Sequence, residues 1–244
     1  MSDITTIALV TGATRGIGLE TVRQLAAAGV HTLLAGRDRA KAVDAALKLQ
    51  AEGLPVEAIE LDVTDAASLS AAADAVAKKH GKLDILVNNA GIIVDTMGLK
   101  VSEQTLDTWR KTFDTNVFGL IATTQAFLPL LHKSDAGRIV NVSSLLGSLA
   151  LHSDPASPIY DFKMPAYNVS KSAVNAWTVQ LAYELRDSRI KINSIHPGYV
   201  KTEMNGGEGE IDVPAGARTS VRLALIDDAG PNGGYFHQEQ SLPW

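Results

Sequence analysis

The 244-residue chain contains no cysteine, and that absence removes three kinds of chemistry at once: disulfide frameworks, thiolate metal sites and thiol nucleophiles. It also suits a reducing, cytoplasmic compartment. No run of lysine and arginine occurs, and the net charge is -5, so neither nucleic acid nor an anionic membrane surface is expected as a partner. No apolar run approaches the roughly 20 residues that a membrane helix requires. The opening MSDITTIALVTG lacks a basic segment followed by a long apolar one, so no secretory leader is expected. The six histidines (31, 80, 132, 152, 196 and 237) show neither H-E-x-x-H nor any other paired spacing, and no metal site is expected. Aromatic residues make up only 5%, and Trp109, Trp177 and Trp244 read as packing residues.

What the chain does have is 45% hydrophobic residues, distributed in a repeating pattern. Short apolar runs at 4–10, 31–36, 56–63, 83–89, 137–144 and 190–197 read as strands, and they are apolar on both faces. Between them, 18–29, 39–53 and 66–81 carry apolar residues at helical spacing and end near a glycine. A long helix is expected from Leu106 to Leu131, with Pro129 breaking or kinking its last turn. Strand and helix in alternation predict parallel strands joined by right-handed crossovers, a doubly wound α/β sheet forming one domain over residues 1–244. Two stretches break the rhythm. LHSDPASPIYDFKMP (151–165), within an insertion at about 145–165, and EMNGGEGEIDVPAGA (203–217) read as long loops suited to binding or to a lid over substrate.

VTGATRGIG (10–18) sets Gly12, Gly16 and Gly18 where the first strand turns into the first helix. Glycine there allows positive φ and close approach of a phosphate, while the helix N-terminus offers free N–H groups and partial positive charge. The spacing G-x-x-x-G-x-G differs from the general dinucleotide fingerprint G-x-G-x-x-G. The second strand ends in Ala35-Gly36-Arg37, without the carboxylate that would bind the adenine ribose of NAD. Arg37 and Arg15 are instead suited to a 2'-phosphate, because a guanidinium donates two hydrogen bonds in one plane. The expected cofactor is therefore NADP rather than NAD. Further along, YNVSK puts Tyr167 and Lys171 at i and i+4 on one helical face. An exposed pair of that kind contributes only about 0.5 kcal/mol to a helix, so chemistry would require it to be partly dry.

Together, TGATRGIG, NNAG (88–91), NVSS (141–144), YNVSK (167–171) and HPGYVKT (196–202) resemble, in order and arrangement, the short-chain dehydrogenase/reductase family over nearly the whole chain. The resemblance implies a Rossmann-type fold with NADP(H) across the carboxyl edge of the sheet and hydride transfer between nicotinamide and a carbonyl or alcohol. It makes Tyr167 the acid/base and Lys171 the residue that holds the nicotinamide ribose and lowers the tyrosine pKa. Ser144, rather than the adjacent Ser143, matches the serine that binds the substrate oxygen. Asn116 matches the asparagine of a proton relay. The cofactor contacts it implies are Gly12, Thr14, Arg15, Gly16, Ile17, Gly18, Arg37, Asp62, Val63, Asn89, Ala90, Gly91, Tyr167, Lys171, Pro197, Gly198, Val200 and Thr202.

The 22 residues between Ser144 and Tyr167 exceed the usual family interval, and this insertion and the tail GPNGGYFHQEQSLPW resemble the carbonyl reductase branch. An NADPH-dependent reductase of ketones or aldehydes is thus expected. A 3-oxoacyl-carrier-protein reductase and an idle NADP-binding regulator are the alternatives, and monomer and homo-oligomer both stay open.

Overall fold

Residues 6–244 are described by a computed structural model. Branched aliphatic runs form the strands: β1 (Ile7–Val10), β2 (His31–Gly36), β3 (Val56–Glu60), β4 (Ile85–Asn88), β5 (Arg138–Val142) and β6 (Lys191–Ile195). Helices follow in alternation: α1 (Gly16–Ala27), α2 (Arg39–Ala51) and α3 (Ala66–His80). After β4 come α4 (Leu106–Phe113) and α5 (Gly119–Leu131). Next, α6 (Leu149–Ser153) and α7 (Pro165–Glu184) separate β5 from β6, and α8 (Val213–Ala224) precedes β7 (Tyr235–His237) and β8 (Gln240–Ser241).

Among the described residues the strands form one sheet in the order β3-β2-β1-β4-β5-β6-β7-β8, parallel except for the last pair. The doubly wound α/β class expected from the alternation is the one found. Side chains alternate between faces, so Ile7 and Leu9 join one core with Leu69 of α3, Phe127 of α5 and Leu181 of α7, while Ala8 and Val10 join the other with Val22 of α1, Leu49 of α2 and Leu223 of α8. Burying each such Leu or Phe contributes about 1.5–3 kcal/mol, which fixes these helices to their faces. Chain order along the sheet reverses between β1 and β4, and a crevice opens there at the carboxyl ends of the strands. No helix among the described residues is long and apolar enough to cross a membrane.

Differences from expectation concentrate at element ends. Four expected strands stop early: Asp62, Asn89, Ser143, Ser144 and Pro197 lie beyond their strands, at the carboxyl edge of the sheet. The expected start of β1 at residues 4 and 5 lies outside the described residues. Leu106–Leu131 is a nearly continuous helix interrupted by a π-helical turn at Asp114–Phe118, where the Gly119 N–H donates to the Asp114 carbonyl five residues back. Pro129 does not break it, because His132 N–H still donates to Leu128 O at 3.0 Å. The two expected loops are shorter than 151–165 and 203–217. Leu151–Ser153 is helical within α6, Pro165 opens α7 and Val213–Ala217 belongs to α8, whose N-terminus Asp212 caps by accepting from Ala215 N. Both prolines lie in first turns, where the missing N–H costs nothing. β7 and β8 were not expected, since their sequence is short and surrounded by glycine and proline.

Candidate active site

At the end of β1 the chain turns through Gly12 at φ +61, and a Cβ added there would lie 2.8 Å from Ala90 Cα. A Cβ on Gly18 would meet Asn89 Nδ2 at 2.4 Å and Gly12 O at 2.7 Å. These contacts exist because the wall Asn89-Ala90-Gly91 is fastened to the turn. Asn89 Nδ2 donates to the Thr11 and Gly12 carbonyls at 2.9 and 3.1 Å, and Thr11 Oγ1 accepts from Asn89 N and Ala90 N, both at 3.0 Å. Arg15 precedes α1 in extended conformation without a capping side chain, which leaves the N–H groups of Gly16, Ile17 and Gly18 to face the crevice. Thr14 packs its methyl under Gly36, where a Cβ would lie 2.5 Å away.

Of the two arginines expected at a 2'-phosphate, Arg37 is exposed just past β2 and has no ion-pair partner among the described residues, whereas Arg15 is paired with Glu203, both largely exposed. Asp38, the nearest acid to the end of β2, accepts from Lys41 N at 3.1 Å and so caps α2. Asp62 follows β3 and spends Oδ1 on the N–H and hydroxyl of Thr64. Val63 is buried against Gly119. After β6, Gly198 turns at φ +96 behind Pro197, Val200 bridges to Ile211, and Thr202 comes within 3.9 Å of a Cβ built on Gly16. Thus residues nearly two hundred positions apart flank one crevice.

Tyr167 and Lys171 lie on α7, and both are buried. The start of that helix is fixed by Asp95, in the segment after β4, whose two oxygens accept from Ala166 N at 2.8 Å and Tyr167 N at 3.0 Å. Lys171 Nζ donates to Val142 O at 2.8 Å and stands 5.6 Å from the Tyr167 ring centre. Ser144, just beyond β5, accepts from Leu146 N at 3.3 Å and lies close enough to the Tyr167 hydroxyl to favour its ionised form. Ser143 instead donates to the Lys171 carbonyl at 3.3 Å, so of the two serines it is Ser144 that faces the tyrosine. Asn116 sits in the π-helical turn. Its side chain donates to Ile92 O and Ser170 Oγ, each at 3.0 Å, and accepts from Ile92 N at 2.8 Å, which binds the segment after Gly91 to the helix. A Cβ on Gly91 would be 3.5 Å from both Asn116 Oδ1 and Lys171 Nζ, so both polar groups flank this glycine.

Electrostatically the site is dry. Burial pushes the Tyr167 hydroxyl up to about 12, and the neighbouring Ser144 side chain opposes that only in part. Burial also brings the Lys171 ammonium down to about 8. In the ligand-free protein the direction of the tyrosine shift is set by loss of hydration, which is the largest cause. A tyrosine held neutral is a proton donor at every physiological pH. Other residues of the site carried no local signal in the sequence. Asp95 bonds to residues 71 and 72 positions away, and Tyr235, on β7, donates to the Ser144 carbonyl at 2.5 Å across 91 positions. His196, the first residue of HPGYVKT, is half-buried and held at about 3 by loss of hydration and then by His237.

The chain is similar to known proteins over nearly its whole length. The sequence model of the family described as short chain dehydrogenase matches residues 6–211. "Short-chain dehydrogenase/reductase 1" of Saponaria officinalis is 37% identical, with 97% of this chain and 95% of that protein covered. "(+)-Neomenthol dehydrogenase" of Arabidopsis thaliana is 35% identical, with 96% of each covered. Among solved structures, the NADPH-bound carbonyl reductase from chicken fatty liver superposes with a TM-score of 0.86 at 28% identity, covering 98% of this chain and 99% of that one.

Proposed function

The chain belongs to the short-chain dehydrogenase/reductase family, and from that premise we propose that it is an NADPH-dependent reductase that converts ketones or aldehydes to alcohols. The observation that carries this reading is the meeting of Ser144, Tyr167 and Lys171 in one buried volume beside the glycine turn. The crevice suits a dinucleotide. The positions of Gly12 and Gly18 leave no room for a side chain, and the uncapped first turn of α1 presents N–H groups to an anion. With Asp38 committed to its own helix, the end of β2 offers a 2'-phosphate Arg37 and no carboxylate, and Arg15 can join it by leaving Glu203.

When bound, the reduced nicotinamide supplies the hydride. The protein supplies the rest. The Ser144 and Tyr167 hydroxyls donate to the substrate oxygen and stabilise the negative charge that grows there. Tyr167 then gives its proton to that oxygen, a downhill transfer because an alkoxide is a far stronger base than a phenolate whose acid titrates at about 12. Lys171, titrating at about 8, is able to lose and regain a proton near neutral pH and so restore the tyrosine. Asn116 keeps the Ile92 backbone and Ser170 in place around that lysine.

The test is NADPH consumption by Tyr167→Phe against a panel of ketones, aldehydes, quinones and acetoacetyl thioesters. Turnover should fall by about 10²–10⁴-fold with NADPH affinity retained, the range set by loss of a general acid. An unchanged rate would remove Tyr167 from the mechanism. Silence of the unsubstituted protein across the whole panel would remove the reductase reading.

A further inference from the structure

Far from the crevice, the first residue of β2, the second of β3 and the last of α3 come together. Leu33 pairs in register with Glu57, and His31 lies two residues before Leu33, so His31 and Glu57 project from the same face of the sheet. His80 ends α3 over that face, its ring centre 5.2 Å from that of His31. His31 Nε2 and His80 Nε2 lie 3.4 and 3.5 Å from one oxygen, Glu57 Oε2, and the three residues each offer a ligand atom within 4.8 Å of the other two. His80 Nε2 is buried without a hydrogen-bond partner.

These separations are long for an N–H···O hydrogen bond, whose usual N···O distance is about 2.9–3.0 Å. They do match the edge of a coordination tetrahedron, since ligands about 2.0–2.1 Å from a zinc ion stand about 3.3–3.4 Å apart. We propose that His31, Glu57 and His80 form a binding site for a divalent transition-metal ion of the zinc type. Two imidazoles and one carboxylate select such an ion over magnesium or calcium, which prefer oxygen. A cleft of about 280 Å³ lined by Arg39, Glu60 and Lys79 also takes in Glu57 and His80 and gives water access to the fourth position. Lys79 Nζ lies 2.8 Å from Glu57 Oε2, where it supplies the positive charge that the ion would bring. Its side chain is 60% exposed, so it moves into solvent when the ion takes that oxygen. Bound there, the ion ties the edge strand β3 and its neighbour β2 to α3, a stabilising role separate from hydride transfer.

The full-length protein, stripped of metal by chelator and dialysed, is titrated with Zn²⁺ and with Co²⁺. One saturable equivalent, tetrahedral cobalt bands in the visible spectrum, and a rise in thermal midpoint of roughly 5 °C or more at a hundredfold excess of Zn²⁺ over Kd are expected. His31→Ala and His80→Ala should each weaken binding at least about tenfold and erase the shift, and Glu57→Gln should weaken it while leaving both rings in place. His132→Ala, at an exposed histidine elsewhere, should behave as the unsubstituted chain does. Absence of tetrahedral bands, or equal midpoint shifts with and without His31 and His80, would overturn the proposal. The cobalt spectrum of the unsubstituted chain decides the matter even where a variant folds poorly.

Discussion

Burial moves Tyr167 and Lys171 of α7 away from charge, and the lysine bears a cost for it. The unfolded chain keeps the Lys171 ammonium up to its ordinary value of 10.5, whereas the folded chain releases that proton near 8. Between those values the unfolded state binds more protons, so this residue makes stability rise with pH; below about 8 the full penalty of burying the charge applies. That penalty is about 3 kcal/mol. Lys171→Met should accordingly stabilise the ligand-free protein at pH 7 by roughly 2–3 kcal/mol in urea unfolding, and the gain should shrink as pH rises from 8 toward 10. Reductase activity should fall in the same variant. A loss of stability at pH 7 would show that the hydrogen bond to Val142 O outweighs desolvation. The motif residues Ser144, Tyr167 and Lys171 were legible in the sequence because their types and spacing carry the resemblance. The direction of the tyrosine shift was not, since desolvation depends on what covers a group and the cover comes from residues distant in the chain.

At the scale of elements, α7 holds two of the reacting groups in place, and its first turn depends on a residue from another part of the fold. Asp95 takes two N–H groups that the helix itself leaves without acceptors, one of them belonging to Tyr167. Asp95→Ala should cost about 1–2 kcal/mol of stability, as loss of a helix cap does. It should also lower kcat about tenfold with little change in KM for NADPH, because the tyrosine would shift while the crevice stays intact. Asp95→Asn, which keeps one acceptor oxygen, should fall between. Urea unfolding and steady-state kinetics on the same preparations check both parts, and a wild-type kcat in Asp95→Ala would show that Pro165 alone fixes the turn. Alternation made nearly every central element legible: aliphatic runs marked β1 to β6, and glycines such as Gly81, at φ +75 after α3, marked helix ends. Boundaries were less legible where an apolar run continues into polar residues that leave the sheet. Prolines in the first turns of α7 and α8 imitated loops, and the π-helical turn at Asn116 leaves the hydrophobic period nearly undisturbed.

For the molecule as a whole, the order β3-β2-β1-β4-β5-β6 gathers at one crevice segments that lie between Gly12 and Thr202 in the chain. No short stretch contains the site, so the unfolded chain has no affinity to offer the dinucleotide. Binding must then stabilise the folded state by RT ln(1 + [L]/Kd), or about 2.7 kcal/mol at a hundredfold excess over Kd. For a chain of this size that is a rise of roughly 5–10 °C in thermal midpoint. NADPH should produce it, and NADH at the same concentration should produce clearly less, because the 2'-phosphate alone gives Arg37 an anion to bind. Arg37→Asp should reverse the order: the carboxylate would repel the phosphate of NADPH and accept from the ribose hydroxyls of NADH. Arg37 lies outside the two cores, so the ligand-free midpoint should move little, and any change in the order of the cofactors reports recognition rather than folding. Equal shifts by the two cofactors in the unsubstituted protein would show that the exposed end of β2 takes no part in choosing between them.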